Sequence, residues 1–87
     1  MSAVEFESLK KELKVLFAGY KKITPAMINK LDSLGFILVR RTNHYIFDYY
    51  LNGKRIRFEV DKTPGDFRSG IKTACVICRI IKQEAGL

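Results

Sequence analysis

The dipeptide Asn52-Gly53 constrains this chain more than any other feature. A two-residue type I′ turn needs positive φ at both central residues, which Asn and Gly tolerate, so Asn-Gly between two alternating runs is the strongest short-range sign of a β-hairpin. Both flanks alternate, from Tyr45 to Leu51 before the turn and from Lys54 to Val60 after it. A two-residue turn pairs Leu51 with Lys54, and every pair outward then follows. Tyr45, Phe47 and Tyr49 fall opposite Val60, Phe58 and Ile56 on one apolar face. The other face carries His44, Ile46, Asp48 and Tyr50 opposite Asp61, Glu59, Arg57 and Arg55.

The apolar face of that hairpin must be covered, and the rest of the chain supplies helices to cover it. Phe6, Leu9, Leu13 and Leu16 recur at helical spacing, with Val4 and Phe17 beside them; Ser2 and Glu5 fit a capping box, and Gly19 suits the stop. A second helix opens with Thr24 as N-cap and Pro25 in its first turn, carries Met27, Ile28, Leu31 and Leu34, and stops at Gly35. Phe36 to Arg40, apolar and β-branched, reads as a third strand. The last segment, about Ser69 to Glu84, is helical, with Ile71, Ala74, Cys75, Cys78 and Ile81 on one face and Ile77 flanking it. The expected fold is α+β in the order α-α-β-β-β-α. One domain over residues 1–87 packs its helices on one face of a three-stranded antiparallel sheet, with an extra N-terminal helix over about residues 3–18.

At 87 residues the chain has room for one small core. Its 47% hydrophobic and 29% charged residues exclude a disordered or fibrous protein. No apolar run approaches the ~20 residues that cross a bilayer, and the first residues lack a basic start before an apolar stretch, so the expectation is a cytoplasmic protein without membrane contact. Sixteen Lys and Arg against nine Asp and Glu give a net charge of +7, which favours polyanionic partners. From Arg40 to Lys72 there are eight basic residues against four acidic ones, so that stretch holds four of the seven excess charges.

The hairpin register sets His44, the only histidine, on the polar face with Asp61 or Glu59 in reach. A carboxylate beside an imidazole fixes its tautomer and suits it to general acid–base work. Arg55 and Arg57 share that face and suit phosphate oxygens; the plain alternative is a surface histidine at a strand edge. Arg68 and Lys72 stand where the last helix begins, a place where free backbone N–H groups bind phosphate; the alternative there is a local Asp66–Arg68 ion pair. Thr63-Pro64-Gly65 reads as a turn. Lys10, Lys11 and Lys14 read as a solvated helix face. Cys75 and Cys78 are spaced C-x-x-C, but no second pair exists to complete a structural zinc site, so they read as two small core residues.

From about Leu16 to Leu87 the chain resembles the HicA toxins of bacterial toxin–antitoxin pairs and their phage-borne relatives. The resemblance is carried by Leu16-Phe17-Ala18-Gly19, Ile23-Thr24 and Leu31-Asp32-Ser33-Leu34-Gly35-Phe36. It is carried further by Arg40-Arg41-Thr42-Asn43-His44-Tyr45-Ile46-Phe47 and by Lys62-Thr63-Pro64-Gly65-Asp66-Phe67-Arg68-Ser69-Gly70. It implies a fold similar to the double-stranded-RNA-binding domain. It also implies a metal-independent, cofactor-free endoribonuclease that cleaves mRNA, and a HicB-like antitoxin that covers the active face. His44 matches the first histidine of the family's Gly-Ser-His-His-like motif, while Thr42, Asn43 and Tyr45 stand where the family carries glycine, serine and the second histidine.

RNA brings its own nucleophile, the 2′-OH. A metal-free nuclease needs a base for that proton, an acid for the leaving 5′ oxygen, and cations for charge developing at phosphorus. His44 is the expected base or acid. Arg40, Arg41, Arg55, Arg57, Lys62, Arg68 and Lys72 are the candidates for phosphate contacts, with Glu59 and Asp61 to orient the histidine. Two other readings compete: a non-catalytic double-stranded-RNA-binding module, and an adaptor that meets an acidic protein through the open sheet face.

Overall fold

A computed structural model describes residues 1–61 and 68–87. In chain order they form α1 (Ala3–Phe17), α2 (Pro25–Ser33), β1 (Phe36–Arg41), β2 (His44–Leu51), β3 (Lys54–Asp61) and α3 (Arg68–Ala85). This is an α+β fold with three helices and one antiparallel sheet of strand order β1-β2-β3. Both N-caps work as read. The Glu5 N–H donates to Ser2 Oγ at 3.1 Å, and the Met27 N–H donates to Thr24 Oγ1 at 3.2 Å. Each satisfies one of the donors that a helix start leaves without a partner.

The hairpin is the expected one. Asn52 and Gly53 have φ of 52° and 81°, the left-handed pair that a type I′ turn requires. Leu51 pairs with Lys54, and the register continues without a slip to His44 opposite Asp61.

The described residues form two compact units, one containing α1 and α3, the other α2 and the sheet. In the first, α1 and α3 pack on each other; Phe6, Leu9, Leu13 and Phe17 are the buried residues of α1, and Ala74, Ile77, Cys78 and Ile81 those of α3. The stripe on α3 is therefore rotated from the expected one. Ile77 is buried, whereas Ile71 and Cys75 are exposed, so only Cys78 of the cysteine pair is a core residue. Val4 on α1 is also exposed.

In the second unit α2 packs on β1 through its own apolar stripe, where Met27 and Leu31 are buried. The sheet buries Tyr45, Phe47, Tyr49, Ile56, Phe58 and Val60, the six residues that the register sets on one face. Phe36 joins them, stacked on Tyr49 with ring centroids 4.6 Å apart and tilted against Phe58 at 5.9 Å. Such aromatic pairs add to the burial that holds a small sheet together.

Candidate functional site

Directly paired residues share a face, so the register lays out the open side of the sheet row by row. His44 lies across from Asp61; Ile46 lies between Glu59 and Arg40; Asp48 lies between Arg57 and Ile37; Tyr50 lies across from Arg55. Arg40 reaches this face through an irregularity. The β1–β2 register shifts between Leu38 and Arg40, which leaves Val39 as an extra residue. A bulge of this kind reverses the alternation beyond it. Arg40 thereby joins Ile46 on the open face, and Arg41 joins Tyr45 on the other, where its guanidinium lies 5.7 Å from the ring centroid. Adjacent strand residues always point to opposite faces, and the bulge decides that it is Arg40, not Arg41, that shares a face with His44.

His44 opens β2. Its carbonyl accepts from both the N–H and the hydroxyl of Thr42, each at 3.2 Å, so the turn that delivers the histidine is tied to its own backbone. On the side chain, Nδ1 lies 3.0 Å from Asp61 Oδ1 and 3.4 Å from Glu59 Oε1. A carboxylate oxygen accepts, so Nδ1 carries a hydrogen, and in the neutral ring Nε2 is then the nitrogen with the lone pair. All three side chains are at least half exposed, which makes the contact worth little to stability. Its consequence is orientation: a tautomer and a ring direction, with the basic nitrogen turned away from the acids.

Arg57 is a phosphate candidate with a prior engagement. Its Nε and one terminal nitrogen donate to the two carboxylate oxygens of Asp48 at 2.8 and 3.2 Å. Asp48 is the one buried charged residue among those described, at 5% exposure. The bidentate hydrogen bond from Arg57, with the charges of Arg57 and Arg55 behind it, holds the Asp48 carboxyl below its usual range against the opposing effect of burial. The same hydrogen bond raises Arg57. A carboxyl whose folded pKa is depressed contributes stability that is present above the unfolded value, ~3.9, and lost as pH falls through the folded one. Arg57→Gln should therefore melt well below wild type at pH 7, and the gap should close in melts taken at successively lower pH, as Asp48 takes up its proton.

Of the remaining candidates, Lys72 is exposed on α3. Lys62, the Thr63-Pro64-Gly65 turn, Asp66 and the Arg68 side chain lie outside the described residues. A feature that the sequence reading passed over lies between α1 and α3. There Lys10, Lys14, Arg79 and Lys82 rim a groove of about 280 Å³ floored by Phe6 and Cys78, with Cys75 at its side. Burial pushes the Cys78 thiol up, Cys75 adds to this, and Lys10 and Lys14 oppose it. Helical spacing marks Lys10 and Lys14 as one row, but only the packing of α1 on α3 brings Arg79 and Lys82 to meet them.

Among the described residues no group of three or more His, Cys, Asp or Glu side chains is placed to hold a metal ion, and no helix is long and apolar enough to cross a membrane. In comparisons with known proteins, no family model, no curated protein and no solved structure matches the chain.

Proposed function

We propose that this protein is a metal-independent endoribonuclease that cleaves mRNA, with His44 as its proton-transfer group. We further propose that it acts in the cytoplasm as a HicA-like toxin held in check by a HicB-like antitoxin. The observation that carries the reading is the contact of His44 Nδ1 with Asp61 at 3.0 Å on an exposed sheet face, in a chain of net charge +7. An imidazole oriented by a carboxylate, with its other nitrogen turned outward, is the equipment for taking a hydroxyl proton near neutral pH. The α+β order, with three helices and one antiparallel sheet, supports a fold of the double-stranded-RNA-binding kind with its helices gathered on one face.

In the proposed reaction Nε2 of His44 takes the proton of the 2′-OH. The 2′ oxygen attacks phosphorus and the bond from phosphorus to the 5′ oxygen breaks. One product ends in a 2′,3′-cyclic phosphate and the other in a 5′-OH, whose proton returns from the imidazolium or from water. Arg40, one row from His44, and Arg55 further along the face are the cations for the phosphate charge, because Arg57 is held by Asp48. A site with one imidazole is a slow catalyst, and a few cuts per transcript are enough for a toxin.

The test uses purified protein and a labelled RNA oligonucleotide in EDTA. Cleavage to cyclic-phosphate ends is expected, and an oligonucleotide with 2′-deoxyribose at the cut position should stay whole there. RNA left intact, or cut only after a divalent metal is added, would refute the reading. One observation favours a second reading, an adaptor for an acidic protein: the apolar floor and four-cation rim of the α1–α3 groove suit an acidic helix better than they suit RNA.

A further inference from the structure

We infer that the open sheet face is a track for single-stranded RNA, in which Tyr50 is a stacking platform for an unpaired base and Arg55 holds the adjoining phosphate. The inference rests on the reading of the protein as an RNA enzyme and names the form of RNA that its site takes.

Tyr50 is the only aromatic among the exposed large hydrophobic residues described, at 57% exposure. The other aromatics of the hairpin, Tyr45, Phe47, Tyr49 and Phe58, are buried on the far side of the sheet. A strand-borne ring left in water on a polar face offers an apolar surface to a flat partner. Arg55 is directly paired with it and exposed, so one base and one phosphate can be met in a single row.

The ring also lies in line with the proposed catalytic group. His44, Ile46, Asp48 and Tyr50 project from the same face of β2, and six residues of strand separate the first from the last by about 20 Å. The path between them suits a polyanion. It holds two acids: Asp48 is clamped by the bidentate Arg57 and so presents little net charge, and Glu59, across Ile46 from Arg40, lies with its carboxylate 3.4 Å from Nδ1 of His44. Ile46 is half-buried and Ile37, the partner of Asp48 on β1, is 48% exposed, so both give apolar contact to base edges. Arg40 stands beside Ile46, one row from His44.

This arrangement selects single strands. In a duplex the faces of the bases are hidden in the stack, and a protein meets only phosphates, 2′-hydroxyls and groove edges. A ring on an open sheet gains nothing from those groups, whereas an unpaired base can lie flat on it.

The experiment measures binding in the His44→Ala background, so that RNA is not consumed. The probes are a fluorescein-labelled twelve-nucleotide RNA, single-stranded or annealed to its complement, in low salt. Tyr50→Ala should weaken single-strand binding about tenfold, Tyr50→Phe should keep it, and duplex binding should move in neither. With His44 restored, Tyr50→Ala should raise KM for the single strand and leave kcat near wild type. Equal single-strand affinity for Tyr50→Ala and its parent, or an equal loss on single strand and duplex, would overturn the inference while wild-type cleavage left the proposed function standing. A wild-type protein that neither binds nor cuts RNA would remove the proposed function, and the track with it.

Discussion

His44→Ala should slow RNA cleavage by roughly 10²–10⁴-fold, the usual worth of a positioned proton-transfer group, without disturbing the fold. The side chain is half exposed and its carboxylate contacts lie in water, so thermal melts of the variant should overlay those of wild type. Single-turnover rates on a labelled RNA, measured beside those melts, read both quantities. Asp61→Asn should cost less than the loss of the imidazole, because Glu59 also faces Nδ1, at 3.4 Å, and can take over the orienting contact. Combining Asp61→Asn with Glu59→Gln should bring the rate close to that of His44→Ala. In a bacterial host the wild type should arrest growth with fragmented transcripts, and the alanine variant should do neither. Wild-type cleavage by purified His44→Ala would remove this histidine from the chemistry.

The part of the site that was legible in the sequence was legible through one turn. Asn52-Gly53 fixes the loop at two residues, a two-residue loop fixes Leu51 against Lys54, and the alternation of a strand does the rest. His44 could therefore be set opposite Asp61 without coordinates, and the six buried residues of the hairpin followed from the same step. The first strand had no such anchor. Its bulge at Val39 depends on how β1 meets β2, and nothing in Phe36-Ile37-Leu38-Val39-Arg40-Arg41 announces it. Regular alternation from Phe36 would put Arg41 on the open face and Arg40 on the other, and the bulge exchanges them. Arg57 looked free because the register showed it across from Asp48 but could not show Asp48 buried, and burial turns a facing pair into a bidentate clamp. On α3 the apolar spacing misleads without the charges: Arg68, Lys72, Arg79 and Lys82 stand at helical spacing around Cys75, whereas Ala74 and Ile81 stand so around Ile77, and it is Ile77 that is buried.

Gly70→Ala should cost about 2 kcal/mol of stability or more, a fall in Tm of roughly 10 °C or beyond for a domain of this size. Ala is ordinarily the better helix residue by about 0.5–1 kcal/mol, and Gly70 sits inside α3, so propensity alone predicts a gain. The surroundings reverse the sign. A Cβ at Gly70 would fall onto the carbonyl oxygen of Phe17, the last residue of α1, and would lie 2.8 Å from Cδ1 of the Tyr20 ring. The first of these is backbone, which cannot rotate out of the way as the end of a side chain can. The Tyr20 ring is itself held, edge-on to Phe17 at 5.4 Å, and both residues are buried. Relief therefore requires the first turn of α3 to move off the end of α1. Thermal melts of Gly70→Ala beside Cys75→Ala, an exposed position on the same helix, separate close approach from any general effect on α3. The first should fall by the stated amount and the second should stay within about a degree or two of wild type, as exposed substitutions do. A Gly70→Ala protein as stable as wild type, or more so, would mean that α3 does not approach the end of α1 this closely.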